Sequence, residues 1–133
     1  MSASPQKIEV EFDSRNDLLI ARPKWDLKTR ADVQAWHKNW IDVLAPYAKD
    51  KRPDVVVVLD EFRVSGEAIK IWGEYRADLN SKYFGISYRV NPESRVRIAI
   101  LTSGVAYNSA TAEAPTIQDA VKAILAVRRN AGP

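Results

Sequence analysis

Ser65-Gly66 is the pair in this chain whose types and position could do regulated chemistry. It follows the short apolar run Asp54-Val55-Val56-Val57-Val58-Leu59-Asp60 and precedes an amphipathic segment ending near Lys82. A serine hydroxyl there can cap the helix, about 1 kcal/mol of stability. The same hydroxyl would also be presented to a partner at the carboxyl edge of the sheet. A phosphate would add roughly −1.5 to −2 charge beside a helix amino terminus, which tolerates anions, so any disruption would fall on a bound partner. Arg63 can pair with that phosphate, whereas Glu61 and Glu67 oppose it.

Other reactive side chains point to less. Asp26, Asp60 and Glu61 stand where strands end, the place open α/β sheets often reserve for ligands. General acid–base work needs two carboxylates within reach of one substrate, and no such spacing is visible, so these read as turn and cap residues. His37 is the one histidine, and with no cysteine beside it no metal site is expected. No phosphate-cradling glycine loop and no Gly-x-Ser-x-Gly elbow is present. No cofactor is expected, and the chain reads as non-enzymatic. Trp36, Trp40 and Trp72 fall on helical stripes and read as core, with a floor for an apolar or lipid ligand beside Trp36 and Trp72 as the alternative. Trp25, between Lys24 and Asp26, reads as a loop residue able to anchor a partner.

These positions need a scaffold of ordinary composition. The 133 residues are 46% hydrophobic and 28% charged, with net charge +3 and no cysteine. That length suits one domain. The basic residues are spread along the chain, which argues against nucleic acid as a partner. No apolar run approaches the roughly 18 residues of a membrane span. Residues 1–6 read as a disordered lead-in without a secretory pattern, 7–129 as the domain and 130–133 as a flexible tail. A cytoplasmic location is the default expectation.

Ile8, Val10 and Phe12 alternate with Glu9 and Glu11, a half-buried strand, and Leu18–Arg22 resumes as a second, closed by Pro23. Thr29 with Asp32 predicts a capped helix to about Lys49, carrying Val33, Trp36, Trp40, Leu44 and Tyr47 on one face. The valine run suits a central strand covered on both faces. The helix from Gly66 places Ala68, Trp72, Tyr75 and Leu79 on a stripe, and Gly73 marks close packing or a bend. Tyr83–Val90 is ambiguous. Arg95–Leu101 alternates as a strand, Thr102–Pro115 reads as a loop, and Thr116 with Asp119 opens a last helix. The order β-β-α-β-α-β-α gives a small mixed sheet with helices packed on it, an α/β fold. The hairpin leaves an edge strand that invites pairing, so a homodimer stays open.

This pattern resembles the STAS domain, the fold of anti-sigma-factor antagonists and the SpoIIAA-like group. Pro23-Lys24-Trp25-Asp26-Leu27 before Thr29, Val56–Asp60, and Ser65-Gly66 at the second helix carry the resemblance, which spans roughly residues 7–128. It implies a regulatory or scaffolding module that binds another protein through an edge made of Trp25, Asp26, Arg63, Ser65 and Gly66. It also implies Ser65 as phosphoacceptor. The chain departs from the family where Arg63-Val64 replaces an Asp and a hydroxyl residue, where Pro23 replaces a glycine, and in a longer 83–94 stretch.

Overall fold

The computed structural model describes residues 7–131. Expectations for 1–6 and for the last two residues lie outside the described residues. The chain folds as a mixed sheet of six strands with four helices packed on it. Strands β1 (Lys7–Asp13) and β2 (Leu18–Leu27) form the amino-terminal hairpin, and Asp13 holds its turn by accepting from the backbone of Arg15 and Asn16. Helix α1 (Arg30–Leu44) follows, capped by Thr29 and Asp32 in the reciprocal arrangement their spacing predicts. Pro46 then tightens Ala45–Tyr47 into a 3₁₀ turn, so the helix stops short of Lys49 and Tyr47 leaves the buried face to stack on Phe12.

Strand β3 (Val55–Val58) lies in the middle of the sheet, parallel to β2 on one side and to β5 (Ser87–Val90) on the other. Its four valines are all buried, because alternate side chains enter two different cores. Val55 and Val57 join the large cluster built with α1, α2 (Ala68–Lys82) and α3 (Ser94–Tyr107). Val56 and Val58 join a smaller one covered by α4 (Ile117–Ala131). Three helices therefore cover one face and one covers the other.

Several local readings change. Pro23 does not end β2. It falls between the stretch paired with β3 (Leu19–Ala21) and the stretch paired with β4 (Phe62–Val64), so no ladder on that side needs its missing N–H. The segment 95–101 is helical. α3 carries exposed Ile98, Leu101 and Val105 as well as its buried apolar residues, so its Val96, Ile98 and Ile100 alternation imitated a strand. The ambiguous stretch supplies the strand instead, as β5. The expected loop 102–115 shrinks, since α3 runs to Tyr107 and β6 (Glu113–Ala114) adds a parallel edge to β5. α4 continues through 130–131, part of the expected tail.

Gly73 is a close-packing site. A Cβ on it would stand 2.6 Å from that of Ser103, so the absent side chain lets α2 and α3 approach. Arg128, in the last turn of α4, ties that helix to the hairpin turn and to the start of β3. It donates from Nε to Asp54 at 2.9 Å and from its Nη atoms to the carbonyls of Asn16 and Asp17, both at 2.6 Å. Asp54 is buried and also receives the Ile86 N–H, so hairpin, central strand and last helix share one charged node.

Candidate functional site: the β2–β4 edge

The last three residues of β2 pair in parallel with β4, a strand invisible in the sequence because it is only three residues long. The register sets Trp25 opposite Phe62, Asp26 opposite Arg63 and Leu27 opposite Val64. Period-two alternation then divides the ribbon. Leu27, Phe62 and Val64 are buried, while Asp26 and Arg63 are exposed on the outer side. Trp25 is on the strand and half-buried against the main core, which corrects its reading as a loop residue.

Ser65 continues the ribbon by donating its N–H to the Leu27 carbonyl at 2.9 Å. The chain then turns through Gly66 at φ +59°, a left-handed conformation that favours glycine. α2 begins two residues beyond it, at Ala68, with Glu67 in the cap position and no side-chain cap. Ser65 is thus not the helix cap. Its carbonyl accepts from Ala68, and its hydroxyl does not cap α2. Glu67 looks across instead, accepting the Arg30 N–H at 3.1 Å and joining the starts of α1 and α2.

Around this turn the edge is densely charged. Lys24 bridges Glu9 at 2.9 Å and Glu61 at 3.6 Å, and the Glu9 contact raises its pKa above the ordinary lysine range. Lys28 stands 3.6 Å from Asp26. Asp32 takes the N–H groups of Lys28 and Thr29 at 2.8 and 3.1 Å, and these bonds, the Lys28 one foremost, hold its carboxyl below the usual range. Arg63 donates to the Phe62 carbonyl at 2.8 Å and stands 3.9 Å from Glu93, the N-cap of α3. All five residues expected at the docking edge, Trp25, Asp26, Arg63, Ser65 and Gly66, therefore fall on one ribbon and the turn that leaves it. Asp60 and Glu61 lie in the turn before β4.

The other candidates sit elsewhere. Trp36, Trp40 and Trp72 are buried in the main core, and Trp36 and Trp72 pack with ring centroids 6.1 Å apart. They line a cavity of about 30 Å³ shared with Phe62 and Phe84. That holds a water or two, against the roughly 300–1,000 Å³ of a ligand pocket. The indole N–H groups of all three tryptophans have no hydrogen-bond partner among the described residues. His37 bonds Asp78 at 2.8 Å and touches Tyr75 edge-on, in an open groove of about 700 Å³ lined by α2 and residues 107–110. Lys82 also pairs with Asp78 at 2.7 Å and, with His37, holds its carboxyl below the ordinary range. Among the described residues no group of three metal-ligating side chains gathers, and no helix is long and apolar enough to cross a membrane.

The sequence reading missed two buried arginines. Arg76 donates to Ser103 Oγ and the Ile100 carbonyl, both at 3.1 Å, and its guanidinium lies 5.7 Å over the Trp72 ring. Arg89 bonds the carbonyls of Ser87 and Ala112. Burial pulls Arg76 down to about 10, and burial with the neighbouring Arg76 charge pulls Arg89 to about 9. Both stay charged at neutral pH and fasten the 109–112 segment to the sheet. Arg76 stands four residues after Trp72 and three before Leu79, a cation inside an apolar stripe, and that was the available signal. Comparison of the chain with family models, with curated proteins and with solved structures returned no match.

Proposed function

We propose that this chain is a non-enzymatic regulatory or scaffolding module of STAS-like type that binds another protein through the β2–β4 edge. One observation carries the reading: the register that sets Asp26 against Arg63 and leads directly into Ser65 and Gly66. A ribbon backed by buried Leu27, Phe62 and Val64 sets the Asp26 and Arg63 charges side by side, carries the half-buried Trp25 and leads into Ser65. Rim charges of this kind select partners and steer encounter more than they supply affinity. The hairpin followed by alternating helices and parallel strands, the pattern behind the family resemblance, also supports it.

Ser65 is the regulatory position in this proposal. A phosphate there would stand beside Arg63, already engaged with the Phe62 carbonyl and Glu93, so modification would compete for that arginine. The location proposed is cytoplasmic, where a kinase and a soluble partner are both within reach. The test is capture of proteins from the source lysate on wild-type, R63E and S65E chains, with the intact mass of the natively produced protein. A partner retained by wild type and lost from both variants is the expected result. Identical capture by all three would refute the edge as the docking site.

A further inference from the structure

β1 is an outer strand of the sheet, and among the described residues nothing pairs with its far side. Which of its backbone groups face outward follows from the register. Leu19 sends its N–H to the Asp54 carbonyl, toward β3, so Leu18, Ile20 and Arg22 point theirs at β1. Opposite those three stand Asp13, Glu11 and Glu9, which therefore bond into the hairpin. Ile8, Val10 and Phe12 turn their N–H and carbonyl groups outward. Ile8 is already engaged, because its N–H donates to Asn39 Oδ1 at 2.9 Å. The outward groups of Val10 and Phe12 are left as a template on which another strand can pair. No proline interrupts β1 and its register has no bulge, so neither device closes this edge.

The side chains select the occupant. Glu9, Glu11 and Asp13 share one face of β1. Suppose Val10 or Phe12 paired antiparallel with Ile8, Val10 or Phe12 of a second copy. Every such register sets at least one acid of one copy opposite an acid of the other, which is destabilising. A second copy is therefore the wrong occupant and a basic strand the right one. Glu9 is already bridged to Lys24 and Asp13 is bonded into its turn. That leaves Glu11, exposed and without an ion pair among the described residues. In an added ladder Glu11 falls at a non-hydrogen-bonded position, where facing side chains come closest. On the other face Phe12 stacks on Tyr47 at 5.6 Å, and the two are 45% and 37% exposed. An apolar side chain opposite Phe12 would cover that stack.

We infer that the outer edge of β1 is a strand-addition site for an extended segment of another protein, with a Lys or Arg opposite Glu11 and apolar side chains on either side of it. Backbone hydrogen bonds to Val10 and Phe12 would supply affinity, and the alternate side chains the selectivity. The site shares no residue with the β2–β4 edge, so the two readings are tested separately.

The probe is a blocked heptapeptide alternating valine and lysine, titrated calorimetrically into the full chain. A Kd of roughly 100 µM or tighter is expected, with the glutamate version of the peptide at least about tenfold weaker. E11K should reverse that order. V10P removes one outward N–H and no hairpin bond, so it should abolish binding with circular dichroism unchanged. Amide exchange on binding should slow at Val10 and Phe12 and stay as it was in residues 24–28 and 62–68. No binding of the lysine peptide up to roughly 1 mM would overturn the inference. So would the same peptide preference in wild type and E11K, or protection of 24–28 and 62–68 with Val10 and Phe12 unchanged. Exchange at Val10 and Phe12 that slows without peptide as the protein is concentrated would place a second copy there, and would overturn it too.

Discussion

Ser65 and Thr29 look alike in sequence, each a hydroxyl residue ahead of an amphipathic helix, yet they do different work. Thr29 accepts the Asp32 N–H at 3.2 Å while Asp32 accepts back from Thr29, so T29A should cost about 1 kcal/mol. Ser65 caps nothing, and S65A should stay within about 0.5 kcal/mol of wild type in urea unfolding. A loss as large as that of T29A would restore the capping reading. Gly66 is the strict position of the pair. Its φ of +59° penalises any side chain, although a Cβ would meet only the Lys28 carbonyl at 3.4 Å. G66A should therefore lower the urea midpoint by the equivalent of about 1 kcal/mol without changing the slope. Asp32 adds a pH dependence. Its folded pKa is depressed, so its stabilisation is present above the ordinary aspartate range and is lost as pH falls through the folded value. D32N should flatten the acid limb of a stability–pH curve and leave the neutral plateau lower. An unchanged acid limb would show that the carboxylate is not what titrates there.

At the scale of elements, the sequence told most where a helix or strand has one apolar side. The hairpin and α1 were legible that way, the valine strand by its unbroken apolar run, and the start of α4 by its Thr116–Asp119 cap, seen in the Thr116 hydroxyl accepting the Asp119 N–H at 3.0 Å. α3 was misread because both its sides are apolar, which erases the period of 3.6 and leaves an alternation that suits a strand. β4 and β6 are too short to carry any period. Of the candidate site, the residues were legible and their arrangement was not, since the Asp26–Arg63 register depends on a strand no pattern announces. Gly73 shows packing overruling propensity. Alanine would gain about 1 kcal/mol as a helix former, but its Cβ would collide with Ser103, where overpacking costs about 1–3 kcal/mol. G73A should destabilise the protein in thermal unfolding. A stabilised G73A would mean that α2 and α3 pack less closely than 2.6 Å implies.

The whole molecule is held at two charged interior points that composition hides. One is the Arg128 node, where a single side chain joins α4 to the hairpin turn and to the central strand through Asp54, itself 8% exposed. R128M strands that carboxylate, and the expected cost is about 3 kcal/mol, read as a drop in the chemical unfolding midpoint. A change below about 0.5 kcal/mol would make the node ornamental. The other is the Arg76–Arg89 pair, which pins the 109–112 segment. Together they tie helices and loop to the sheet, and the β2–β4 edge is a hydrogen-bonded ribbon backed by buried Leu27, Phe62 and Val64. A preformed surface has little ordering entropy left to lose on binding. The measurement that tests the docking edge most directly is amide hydrogen exchange of the full chain with and without the partner captured from lysate. Slowed exchange concentrated in residues 24–28 and 62–68 is the predicted result. Protection confined to α4 or to the His37 groove, with those two segments unchanged, would contradict it.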